Sequence, residues 1–107
     1  MIEKQFSFTQ ADEKVIERII SDENLDINHM ILTKSEALPQ HYSNSNVYML
    51  VVRGTITLQL DEQEEHNYPR GSIITIPYKT KMNVSNQFED TLEFFVVKAP
   101  SPSKMPS

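Results

Sequence analysis

Residues 41–54 read HYSNSNVYMLVVRG and residues 69–86 read PRGSIITIPYKTKMNVSN. Each stretch is a run of β-branched and aromatic residues bounded by turn-forming ones, which is how a strand with its flanking turns reads. The chain has only two glycines, Gly54 and Gly71, and each closes or opens one of these runs. Glycine serves where the backbone turns with positive φ or passes close to another strand. Two glycines placed at strand ends in a glycine-poor chain therefore mark fixed corners of the fold.

Outward from these stretches the chain continues to read as β. Residues 47–60, VYMLVVRGTITLQL, predict two strands meeting at Gly54. An acidic turn follows at 61–64, then a short return strand at 65–68 ended by Pro69-Arg70-Gly71. A further strand at 72–77 stops at Pro77, which has no N–H to donate to a ladder. Residues 91–98, TLEFFVVK, predict the last strand. Several short strands separated by turn signals point to a sandwich or barrel. The first third admits two readings. Residues 15–33 suit a hairpin with its turn at 22–24, while 11–20 also carry apolar residues at helical spacing. The last ten residues, KAPSPSKMPS, hold three prolines and three serines, a composition that predicts an extended or flexible tail.

The spacing of the two stretches resembles the paired motifs of the cupin family. On that resemblance His41 holds the first histidine position of the metal-binding pattern, Ser43 the second, Val47 the glutamate and Gly54 the closing glycine. In the second motif Pro69, Gly71, Pro77, Met82 and Asn86 take the Pro-x-Gly, the strand-ending proline, the last histidine and the asparagine. Ser35, Gln63 and Lys79 stand where the pattern usually has glycine. The resemblance covers about half the chain directly, and it implies an all-β fold: a small antiparallel, jelly-roll-like cupin barrel spanning 1–98, with 99–107 as a tail. It favours a strand pair over a helix in the first third. It also implies a homodimer, since small cupins pair or exchange edge strands and so remove an open edge.

The chemistry at the motif positions is weaker than the spacing. A divalent cation needs three or four ligands of fitting softness, and only one imidazole remains here. No cofactor is expected. If Val47 points inward, alternation brings Met49 and Val51 inward as well. His41, Ser43, Val47, Met49, Tyr78 and Met82 then form a candidate pocket, polar at His41 and Ser43 and otherwise mainly apolar. Such a lining suits a small, largely apolar ligand, and equally a closed, packed core. The primary expectation is a non-metal small-molecule-binding or regulatory protein. The alternative is an enzyme. One form uses metal-free acid–base chemistry of the isomerase or epimerase kind, with His41 beside Tyr42, Tyr48 and Tyr78. The other uses a noncanonical metal site that joins His41 to His29, if the strand face of Leu25, Ile27, His29 and Ile31 is the lumen.

Composition narrows the remaining classes. A chain of 107 residues fits one domain. It has no cysteine, so there is no disulfide framework and no thiolate ligand, which fits a cytoplasmic protein. The net charge is −5, with acidic residues gathered at Asp61, Glu62, Glu64 and Glu65. That balance speaks against a nucleic-acid partner, which requires a basic face. No apolar run is long enough to span a membrane, and MIEKQFSFTQADEK lacks the basic start and apolar core of a secretion signal.

Overall fold

A computed structural model describes residues 1–106. Nine strands run in chain order: β1 Val15–Ser21, β2 Asp26–Leu32, β3 His41–Tyr42, β4 Val47–Arg53, β5 Thr55–Leu60, β6 His66–Pro69, β7 Ile73–Ile76, β8 Lys81–Ser85 and β9 Leu92–Lys98. They form two antiparallel sheets, one ordered β1-β2-β9-β4-β7 and one ordered β3-β8-β5-β6. The sheets face each other and bury their inner rows as one core. The first sheet contributes Leu32, Val47, Met49, Val51, Phe94 and Val96, and the second contributes Ile56, Leu58, Met82 and Val84. This is the barrel expected from the strand pattern.

Alternation in β4 is regular: Val47, Met49 and Val51 are buried, while Tyr48 and Val52 are exposed. A run of this kind fixes its own register, because a slip of one residue would turn the whole apolar row to solvent. The corner between β4 and β5 is Gly54, at φ +77, where an added Cβ would run into the backbone carbonyl of Thr91. Gly71, at φ +89, meets nothing on that side; there only the turn conformation matters. Two of the three positions that lack the usual glycine keep the glycine geometry, and Gln63 does not. Ser35 and Lys79 stand at φ +70 and +67.

The first third is a hairpin, not a helix. Asp22 makes its turn, with Oδ1 accepting from the amides of Asn24 and Leu25, an arrangement Asp adopts readily. The inward face of β2 differs from the one the two-histidine site requires. Met30 and Leu32 pack on the core, so His29 and Ile31 point away from the lumen. They are nevertheless fully buried, because residues 1–14 cross the outer face of the sheet. Phe8 stacks on both His29 and Phe95, with ring centroids 4.8 and 4.9 Å away. Strand β8 is separated from β7 by the 77–80 turn and was not among the strands read from sequence.

The Pro/Ser-rich end is tied to the barrel. The Ala99 amide donates to Asn46 O, Ser45 Oγ donates to Pro100 O, and buried Ser101 bonds Asp26. A short 3-10 turn, Pro102–Lys104, follows. Ser107 lies outside the described residues.

Candidate functional site

The open end of the barrel is built from the first-motif loop, the 77–80 turn and the end of β9. His41 lies on β3, paired directly with Met82 on β8. Val47 and Met49 reach the same space from β4. His41, Ser43, Asn44, Val47, Met49 and Met82 line one cavity, closed by Met30, Leu38, Val84, Val96 and Lys98. Its volume is about 40 Å³. That is room for a few water-sized groups, well short of the several hundred Å³ of a drug-sized pocket. The lumen is mostly filled by its own side chains, three of them methionines whose thioether chains can change rotamer.

Three polar groups at this end have definite roles. Ser43 Oγ donates to Pro77 O at 2.6 Å and accepts from the Thr80 amide at 2.8 Å, so its hydroxyl clamps the turn between β7 and β8. His41 Nδ1 donates to Pro39 O at 2.8 Å, which fixes the tautomer of the neutral ring and leaves Nε2 as an acceptor. Tyr78 does not join the cavity lining. Its hydroxyl donates to Pro106 O at 2.6 Å and helps hold the chain end. Tyr42 and Tyr48 are exposed.

Asn86, the last residue of the second motif, is structural. Fully buried, it donates from Nδ2 to Leu32 O and Asp90 O and accepts at Oδ1 from the Phe88 amide. It thereby ties β2 to the β8–β9 connection.

Lys98 is the feature that sequence reasoning missed. It closes β9, its parity with Phe94 and Val96 puts its side chain on the lumen side, and it lines the cavity. Burial pushes its ammonium below the ordinary lysine range, partly offset by Asp26, the residue opposite it on β2. The signal was available, since a lysine two residues beyond two inward-facing positions is itself inward-facing.

As a metal centre the four motif positions offer one imidazole, a hydroxyl already committed to two hydrogen bonds, an isopropyl group and a thioether. That donor set does not fit a hard or borderline divalent cation. Among the described residues no group of three or more His, Cys, Asp or Glu side chains is arranged so that it could hold a metal ion. His29 does not extend the set. It sits on the outer face, with Nδ1 2.7 Å from Glu17 Oε2 and Nε2 2.6 Å from Glu93 Oε2, so both ring nitrogens are engaged.

Glu93 also accepts from Arg53 Nε at 3.1 Å. Arg53 reaches on to Asp12 and to Ala11 O, and Glu17 accepts from the amide and hydroxyl of Thr9. The network pins residues 9–12 to the sheet. It also removes Arg53 from any role at the lumen.

Two facing antiparallel sheets closing over one apolar lumen, with the first- and second-motif residues converging at its mouth, define a double-stranded β-helix barrel. The comparisons agree. Over 106 residues the chain is 46% identical to an uncharacterized protein of Methanocaldococcus jannaschii, a match covering 98% of this chain and 91% of that one. The crystal structure of an RmlC-like cupin family protein with a double-stranded β-helix fold, from the same organism, matches with a TM-score of 0.94 at 47% identity. It covers 97% of this chain and 96% of that one. This chain belongs to the cupin family. A cupin superfamily protein from Desulfitobacterium hafniense, 8% identical with a TM-score of 0.73 over 87% of this chain and 83% of that one, shares the fold alone. A comparison with protein-family models finds no match. No helix is long and apolar enough to cross a membrane among the described residues.

Proposed function

We propose that this cupin is a binding protein whose lumen mouth takes a small, largely apolar molecule without a resident metal. The observation that carries this reading is the shared cavity. His41 and Asn44 sit at the rim of a lining made by Val47, Met49, Met82 and their neighbours. A few polar groups over an apolar floor is how ligand sites are built, and the three methionines give the floor room to adapt. The ligand is small, because the space is small. His41 serves as a hydrogen-bonding group at the rim, oriented by Pro39 O. The test is His41→Ala, with elemental analysis of the protein purified without chelators. Metal content and fold stay unchanged while binding of small apolar fragments weakens. Stoichiometric zinc, iron, nickel or manganese that disappears in His41→Ala overturns the reading.

A second observation favours a role exercised as a homodimer. Across the outer face of the five-stranded sheet, Ile73 pairs with Leu50 and Leu50 with Phe95, with Tyr48 and Val97 alongside. Ile73 is 69% exposed and Tyr48 40%. Light scattering at micromolar concentration tests this. A dimer that Ile73→Glu dissociates is expected, and a 12.4 kDa species alone refutes it.

A further inference from the structure

The reading of the lumen as a binding site leaves the chemical class of the ligand open, and the charge distribution at its mouth narrows it. The cavity lining contains one cationic side chain, Lys98, and no carboxylate. In a chain of net charge −5 that local imbalance is against the general trend. Among the described residues no hydrogen bond or ion pair reaches Lys98 Nζ, in contrast to Lys34, Arg53 and Lys81, which all have carboxylate partners. Asp26, the acidic residue opposite Lys98, is turned to other donors: its Oδ1 accepts from Ser21 Oγ at 2.8 Å and Ser101 Oγ at 3.1 Å. Arg18 adds positive potential from the same side. The same lining includes Asn44, whose side-chain amide is a second donor with no partner among the described residues.

We infer that the lumen mouth recognises a short-chain carboxylate. Its anionic head sits on Lys98 Nζ and the Asn44 amide, and its hydrocarbon tail lies between Met49, Met82, Val84 and Val96. Two physical points support the assignment. A half-buried ammonium with no hydrogen-bond acceptor among the described residues, its charge only partly offset by Asp26, has lost hydration that no protein group replaces, and a carboxylate supplies that replacement as a charge-assisted hydrogen bond. The whole cavity, about 40 Å³, holds on the order of three small groups when one water needs roughly 10–15 Å³, so with the head group at the rim only a short hydrocarbon tail fits. The inference rests on the binding reading above and adds to it the head group and the length.

The experiment is an NMR titration of the full chain labelled at the methionine methyls. The probes are butyrate, butanol and butylammonium at constant ionic strength, and the proteins are the native chain, Lys98→Met and Lys98→Arg. Butyrate is expected to shift the Met49 and Met82 methyls at least tenfold more tightly than butanol. Lys98→Met, which keeps the packed stem, should remove that tenfold preference, so that butyrate binds no more tightly than butanol, and Lys98→Arg should keep most of it. Butanol binding as tightly as butyrate, or butylammonium binding best, overturns the carboxylate assignment while leaving a lumen ligand in place. No methionine response to any probe overturns the binding reading, and the assignment with it.

Discussion

The outer-face histidine offers the sharpest test of what holds this barrel to its N-terminal segment. His29 is fully buried, and each ring nitrogen faces a carboxylate oxygen, at 2.7 Å for Glu17 and 2.6 Å for Glu93. Both ring nitrogens are thus engaged, and the three side chains form one hydrogen-bonded cluster. Hydrogen bonds to charged groups contribute about 1.5–3 kcal/mol each. Removing one member of a buried ion pair costs about 3–5 kcal/mol, chiefly through the charge left behind. The upper figures do not apply, because Glu93 keeps Arg53 and Glu17 keeps Thr9. For His29→Leu we expect a loss of about 3 kcal/mol, or about 12–18 °C in Tm for a domain of this size. Denaturant and thermal unfolding measure it. Because part of the loss arises from acids left with one donor fewer, adding Glu17→Gln and Glu93→Gln should recover part of it. Acid dependence gives an independent check. The Thr9 backbone amide, and after it the His29 ring, hold the Glu17 carboxyl below the ordinary glutamate range. A lowered acid contributes stability in full above its unfolded pKa of about 4.3, and that contribution is lost as pH falls through the folded value. Glu17→Gln should therefore flatten the acid side of the stability profile below about pH 4.3. A His29→Leu protein within about 0.5 kcal/mol of native, or a triple variant no better than the single one, would refute the reasoning.

Two further outcomes follow from the geometry of the barrel. Gly54→Ala places a methyl against the Thr91 carbonyl at positive φ and should cost about 3 kcal/mol or more; Gly71→Ala, with open space on that side, should cost only about 1–2 kcal/mol, both read by urea unfolding. The double variant Val47→Glu with Met82→His, beside native His41, supplies a carboxylate and a second imidazole in one cavity and should bind zinc stoichiometrically by calorimetry. Ser43 is left alone there, because its hydroxyl clamps the 77–80 turn.

How much of this was legible in the sequence depends on what kind of constraint each residue carries. The barrel was legible because alternation and corner glycines are local signals: Val47, Met49 and Val51 turn inward together, and Gly54 and Gly71 both adopt positive φ. Ser35 and Lys79 show the same logic from the other side. Their left-handed backbone is dictated by the turn and not by the residue, so the spacing of the motifs survives where the glycines do not. The convergence of His41, Ser43, Val47 and Met82 came from the same register, and all four line one cavity. What the sequence left open was long-range. The face of β2 that turns inward depends on its pairing with β9, where Met30 lies opposite Phe94 and His29 opposite Phe95. Burial of His29 then depends on an arm, residues 1–14, whose polar sequence gives no hint that Phe8 will cover it. Ser43 looked like a candidate ligand group and is a turn clamp, because the partner of a hydroxyl is set by where the Pro77 carbonyl falls and not by its own neighbours. Lys98 was overlooked for the opposite reason. A lysine at the end of an apolar strand reads as the point where the strand meets water, and only the closing of the second sheet over Val96 turns its stem into part of the lumen wall. The residues whose roles were hidden are thus the ones whose partners come from another sheet or from a chain end. In a barrel this small they decide whether the mouth is a metal centre, a packed plug or a seat for an anion.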